Sequence, residues 1–137
     1  MSYGAAPALQ TAIHERLTAD PALAALVGAA IFDSPPPGPL PDLYVSLGPE
    51  EVRAGADATA GGAWHRITVS VIARAGSFHV AKQAAVAVSD ALSEAPLPLA
   101  RGRLAGLHFF RARAGRAARG SLRRIDLTFR ARIDDAG

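Results

Sequence analysis

Two segments of this chain alternate apolar and polar residues with a strict period of two, and no other feature constrains the fold as much. In the first, Ile67, Val69 and Val71 alternate with Arg66, Thr68 and Ser70. In the second, Ile125, Leu127, Phe129, Ala131 and Ile133 face one way, while Arg124, Asp126, Thr128, Arg130 and Arg132 face the other. Successive side chains of a strand point to opposite faces, so each segment reads as a strand with one dry and one wet face. Such strands belong to a sheet covered on one side only. The cover must come from helices that carry one apolar stripe.

Three segments carry such stripes. Leu9, Ile13 and Leu17 recur every four residues, with Ala12 beside them, which predicts a helix over about Ala6–Ala19. Asp20-Pro21 is a helix start, with Asp as N-cap and Pro at the first helical position. The short helix it opens runs to about Val27, ends at Gly28, and offers Leu23, Leu26 and Val27 to the core. A third helix runs from about Phe78, after a possible Ser77 cap, to Ser93. Its stripe is Val80, Ala84, Ala87, Val88, Ala91 and Leu92, and Pro96 and Pro98 end it.

The remaining segments are shorter. Ile31-Phe32 begins a short strand, and Leu43, Val45 and Leu47 mark another. Between them, residues 34–41 are too proline-rich for a helix or a central strand and read as an extended surface connection. Glu50-Glu51 reads as a solvated turn, and Ala54–Gly62, small and polar, as a loop. Leu104–Arg113 alternates more loosely and reads as a strand in which at least one of Phe109 and Phe110 is core. Ala114–Gly120 reads as the loop before the last strand. The expectation is one α+β domain over residues 1–137: a two-layer sandwich with a mostly antiparallel sheet of about four main strands and helices packed on one face.

A chain of 137 residues buries roughly two-thirds of its extended surface on folding, so it needs no metal or disulfide staple. The absence of cysteine excludes disulfides, thiolate zinc sites, iron–sulfur sites and a cysteine nucleophile. The most apolar stretch, Pro21–Phe32, is shorter than the roughly 20 residues of a spanning helix, and Met1–Gly4 shows no secretory signal. The expectation is a soluble protein with no membrane partner.

The net charge of +3 conceals a strong asymmetry. Residues 1–100 hold 5 basic and 9 acidic residues, whereas residues 101–137 hold 10 arginines and 3 acids. Lys82 is the single lysine. Arginine suits bidentate recognition of carboxylate or phosphate. Codon usage in a GC-rich genome, which also raises Ala, Gly and Pro, accounts for the same bias.

Few residues point to chemistry. There is no phosphate-binding Gly-rich loop, no dinucleotide fingerprint, no His-Glu-x-x-His and no Gly-x-Ser-x-Gly elbow. His14, His65, His79 and His108 are far apart in sequence and read as surface or strand-face histidines. Glu50 and Glu51 point apart if extended and so form no acid–base dyad. No cofactor or metal is implied and no catalytic residue is named. The arginine-rich last third is the strongest chemical feature. It reads either as a polar strand face that pairs with acids on a neighbouring subunit, or as a nucleic-acid-binding module. The second reading needs exposed stacking rings beside the basic groove, and aromatics are few, with Phe109 and Phe110 the only ones interleaved.

The layout resembles the tail-terminator, or tail-completion, family of long-tailed phages and gene transfer agents. The resemblance rests on Ala8–Ile13, Leu17–Pro21 and Leu26–Gly28, then the Pro-rich connection and Pro41–Gly48. It continues through His65–Val71 before the long helix, Gly102–Leu104 leading to Phe109, and Leu127–Ala131. It spans about residues 6–133. It implies a structural, non-enzymatic virion protein that assembles as a six-fold ring. Such a ring caps the last disc of tail tube protein, stops tube growth and presents a surface to the head–tail connector. DNA passes through its lumen without specific binding. Arg116, Arg119, Arg124, Arg130, Arg132 and Asp57 are the candidates for subunit or tube contacts. The loops 54–62 and 114–120 are the candidates for contacting tube or connector.

Overall fold

The computed structural model describes residues 3–54, 62–74, 76, 78–93 and 97–135. Helices α1 (Ala6–Ala19), α2 (Pro21–Val27) and α3 (Phe78–Ser93) cover one face of a five-stranded sheet. Its strands are β1 (Ile31–Phe32), β2 (Leu43–Ala54), β3 (Ala63–Arg74), β4 (Arg103–Ala117) and β5 (Leu122–Asp134), in the order β1-β2-β3-β5-β4. Only the β1–β2 pair is parallel. The architecture is the expected α+β arrangement with a mostly antiparallel sheet.

The two alternating segments form its centre. Strands β3 and β5 pair without a break from Ala63 opposite Ile133 to Arg74 opposite Leu122. That register sets Ile67 against Phe129, Val69 against Leu127 and Val71 against Ile125. All six are buried beneath the helices. Helix α3 approaches closely because its inner stripe is mostly alanine: Ala81, Ala84, Ala87 and Ala91 are buried beside Val88 and Leu92. Val80 is only half-buried. Leu9, Ile13 and Leu17 are buried on α1. The backbone N–H of Leu23 donates to Asp20 Oδ2 at 2.9 Å, so Asp20 caps α2 as its sequence position predicts. His14 reaches the carbonyl of Ile31 at 3.0 Å and ties α1 to β1.

Three expectations are corrected. Ala114–Gly120 is not a loop: β4 continues to Ala117, and only Ala118–Gly120 turn back into β5. Ala118 and Arg119 both adopt positive φ there, at 50° and 57°, a conformation unfavourable for residues with a Cβ. Glu50-Glu51 is not a turn but part of β2, just past a bulge between Leu47 and Glu50. Neither Phe109 nor Phe110 is core; they are 50% and 42% exposed. Strand β4 is the edge strand: Phe109 packs against Phe129 on its β5 side, and Phe110 lies on the face away from the helices. At the end of β5, Asp134 pairs with Arg103 at 3.0 Å, and buried Asp135 with Arg101 at 3.0 Å. The Ser77 cap, Pro96 and the body of the 54–62 loop, including Asp57, lie outside the described residues.

Candidate functional site

The uncovered face of the sheet carries a band of guanidinium groups stacked on aromatic rings. Alternation dictates its members. The residues of β3 and β5 that do not face the helices include Trp64, Arg66, Arg130 and Arg132. Register then brings them together, with Arg66 directly opposite Arg130 and Trp64 directly opposite Arg132. Strand alternation sends Phe109 to the side of Phe129 and Phe110 to the open face, and a bulge between Phe109 and Arg111 leaves Arg111, opposite Thr128, on the open face as well. Phe109 packs edge-on against Phe129, with ring centroids 6.0 Å apart. Phe110 lies under both guanidiniums, 4.8 Å from Arg66 and 5.4 Å from Arg130. Trp64 lies 5.0 Å from Arg130 and 5.7 Å from Arg132.

Like charges directly opposite on neighbouring strands repel. Here the rings offset part of that repulsion through their negative faces. No described carboxylate lies within ion-pair distance of Arg66 or Arg130. A groove of about 290 Å³ opens beside the pair, lined by Glu51, Arg53, Trp64, Arg66 and Arg130.

Of the other arginines on this face, Arg53 lines the groove just described, Arg111 and Arg113 line another with Arg124 and Asp126, and Arg124, Arg132 and Arg74 are paired with carboxylates. Arg124 Nε donates to Asp126 Oδ1 at 2.9 Å, and its Nη2 donates to Ser70 Oγ at 3.2 Å. Ser70 Oγ donates to the same carboxylate oxygen at 2.6 Å. Arg132 lies 3.6 Å from Asp134. Arg74 and Asp42 pair at 2.6 Å.

The candidate residues named from sequence therefore fall into separate places. Arg130 and Arg132 join one cluster with Arg66. Arg124 belongs to the Ser70–Asp126 network. Arg116, opposite Arg123, points to the helical side, and Arg119 sits at the hairpin tip. The sequence analysis singled out neither Arg66 nor Trp64 as a site residue. Their alternation with Ile67 was visible, but their cross-strand partners depend on register.

The helical side holds a different set of polar groups. Glu50 accepts a hydrogen bond from the Tyr3 hydroxyl, which raises the Tyr3 pKa. Glu50 and Asp33 line one groove beside the first turns of α1, together with Tyr3, Gln10 and Thr11. His65 is buried on the same side of the sheet, and neither ring nitrogen has a partner. Burial pushes its pKa down, opposed by the charge of Glu50. A cavity beside Ile13, Leu47 and Val69 measures about 30 Å³, room for a water molecule and not for a substrate. Among the described residues no three His, Asp or Glu side chains gather as metal ligands, and no helix is long and apolar enough to cross a membrane.

An open face of arginines stacked on aromatic rings suits macromolecular contact. Comparison with known proteins decides the class. The family model described as tail completion protein gp17 matches residues 11–134. The chain belongs to the tail completion protein gp17 family. No curated protein matches it. A solved structure of the virion of a native gene transfer agent particle contains a similar chain, 56% identical. The match has a TM-score of 0.90 and covers 96% of this chain and 98% of that one. This tail completion protein is thus a structural virion component and not an enzyme.

Proposed function

We propose that this tail completion protein is a terminator. In this reading it forms a ring, with six copies as the family resemblance implies, on the last disc of the tail tube. The ring stops tube polymerisation and joins the tube to the head–tail connector. The whole-chain likeness to a chain of a gene transfer agent virion carries the reading. Two features of the fold support it. The outer edge of β4 is a fifteen-residue strand with no strand beyond it among the described residues, and such an edge invites a partner. The helical and open faces also differ in charge, as head-to-tail contacts between unlike surfaces require.

In the same reading, the tip of the β4–β5 hairpin, with Arg116 and Arg119, reaches the tube or the connector. DNA passes through the lumen without specific binding.

Electron microscopy of particles assembled without this gene tests the proposal. Tubes of uncontrolled length, unjoined to filled heads, are the expected result. Normal tails of normal length would reject it, and salt-dependent DNA binding would then become the next measurement.

A further inference from the structure

We infer that the Arg66–Arg130 pair is an anion clamp that takes the carboxylates of Asp33 and Glu50 from a second copy of this chain. The inference rests on the ring proposed above and specifies its contact.

Four observations lead there. First, Arg66 and Arg130 are directly opposed and stacked on Phe110, and Glu51, opposite Arg66 on β2 and lining the same groove, is not within ion-pair distance of either. A stacked guanidinium is oriented in advance and weakly hydrated, and its N–H edges remain free for a planar bidentate acceptor. Second, the patch has the make-up of a protein-binding hot spot. Arginine, tryptophan and phenylalanine, residue types enriched at protein interfaces, meet on one open face. Third, the chain carries a complementary pair of its own. Asp33 and Glu50 line one groove, and neither has a cationic partner among the described residues. Fourth, the two pairs lie on opposite sides of the sheet. Glu50 faces α1 while Arg66 and Arg130 face away from the helices, so one protomer cannot close the contact on itself. A contact between unlike surfaces of identical chains repeats head to tail and closes into a ring.

The test uses complementation of a gene-deleted, particle-producing strain, scored as the fraction of particles with capped tails of normal length. The variant R66E/R130E sets acid against acid, and D33R/E50R sets base against base. Each alone is expected to lower capped particles at least tenfold. Co-expression of the two is expected to restore them, because in an alternating ring every contact again pairs opposite charges. Thermal unfolding checks that each variant folds. If a charge reversal prevents folding, the neutral pairs R66Q/R130Q and D33N/E50Q are scored instead, with the same expected loss for each.

Capping by either variant alone overturns the clamp. Failure of the folded reversal pair to restore capping overturns the second-copy assignment and points to another tail protein on this face. If deletion of the gene itself leaves tails normal, the ring reading fails, a result distinct from both.

Discussion

Strands β3 and β4 are both long members of one sheet, and they have opposite fates. Eight of the twelve residues of β3 are buried, whereas none of the fifteen of β4 is. Composition does not explain the difference. Strand β4 holds Leu104, Leu107, Phe109 and Phe110 and is flanked by a buried strand. Position explains it. Strand β3 lies mid-sheet under the helices, and β4 lies at the edge. Arg103, Arg111, Arg113 and Arg116 lie on β4, and the better-buried β5 carries as many, Arg123, Arg124, Arg130 and Arg132. The central strands thus hold the core on their helical side and present arginines on their open side, whereas β4 contributes no buried residue.

The sharpest way to break that comparison is to truncate one ring in each region. Phe129 on β5 is 1% exposed, and Phe129→Ala is expected to cost about 3–5 kcal/mol in urea unfolding, enough to threaten folding. Phe110→Ala should change stability by less than about 1 kcal/mol, because its ring is already 42% exposed. A cost for Phe110→Ala equal to that of Phe129→Ala would show that β4 is core after all.

The next effect concerns the point where β4 leaves the body of the protein. Gly102 has φ +80°, and a Cβ there would meet Ile133 Cγ2 at 3.0 Å and the Asp134 carbonyl at 3.2 Å. Gly102→Ala combines backbone strain with overpacking and is expected to cost about 1–3 kcal/mol, read as a lowered urea midpoint. Full stability of this variant would show that the start of β4 shifts freely.

His65 sharpens the comparison from the buried side. Its folded-state pKa is lowered from the usual 6.5 by burial. The unfolded chain therefore takes up the proton first as pH falls. The stability associated with neutral His65 is complete above about 6.5 and declines from there towards the lower folded-state pKa. His65→Leu removes two unpartnered ring nitrogens from the core. It is expected to raise stability by about 1 kcal/mol at neutral pH and to flatten the decline between pH 6.5 and 5, measured by unfolding across that range. An unchanged pH profile would place the acid sensitivity elsewhere.

The smallest effect lies at the hairpin tip. Asn tolerates the left-handed conformation of Arg119 better than Arg does, so Arg119→Asn is expected to stabilise the isolated protein by about 0.5 kcal/mol. If the tip touches the tube or connector, the same change lowers the yield of capped tails. A loss of capping without loss of stability would separate the work of the outer strand from that of the centre.

Where local pattern and tertiary environment agreed, the fold was legible in the sequence. The stripe of α1, the Asp20-Pro21 start of α2 and the alternation of β3 and β5 each follow from a short-range rule about periodicity or capping. The expected loop at 114–120 and the expected burial of Phe109 or Phe110 failed for one reason. Strand β4 extends because β5 offers a ladder of backbone partners as far as Leu122, which is a long-range hydrogen-bonding opportunity. It stays exposed because it is the edge strand, with β5 on one side of Phe109 and with Phe110 on the face away from the helices. The candidate surface was half legible. Arg130 and Arg132 stood out by charge, but Arg66, Trp64 and Phe110 joined them only through the pairing and register of strands remote in sequence.

From the sequence alone, then, came the chemical character of each face: dry and alanine-lined on one side, arginine-rich on the other, with no constellation for catalysis. Side-chain alternation is a property of the extended backbone and needs no knowledge of neighbours. Tertiary structure alone decided which arginines meet, which carboxylates they lack and which strand is left at the edge. Those outcomes depend on the order in which strands pair, and pairing is set by contacts between segments remote in the chain.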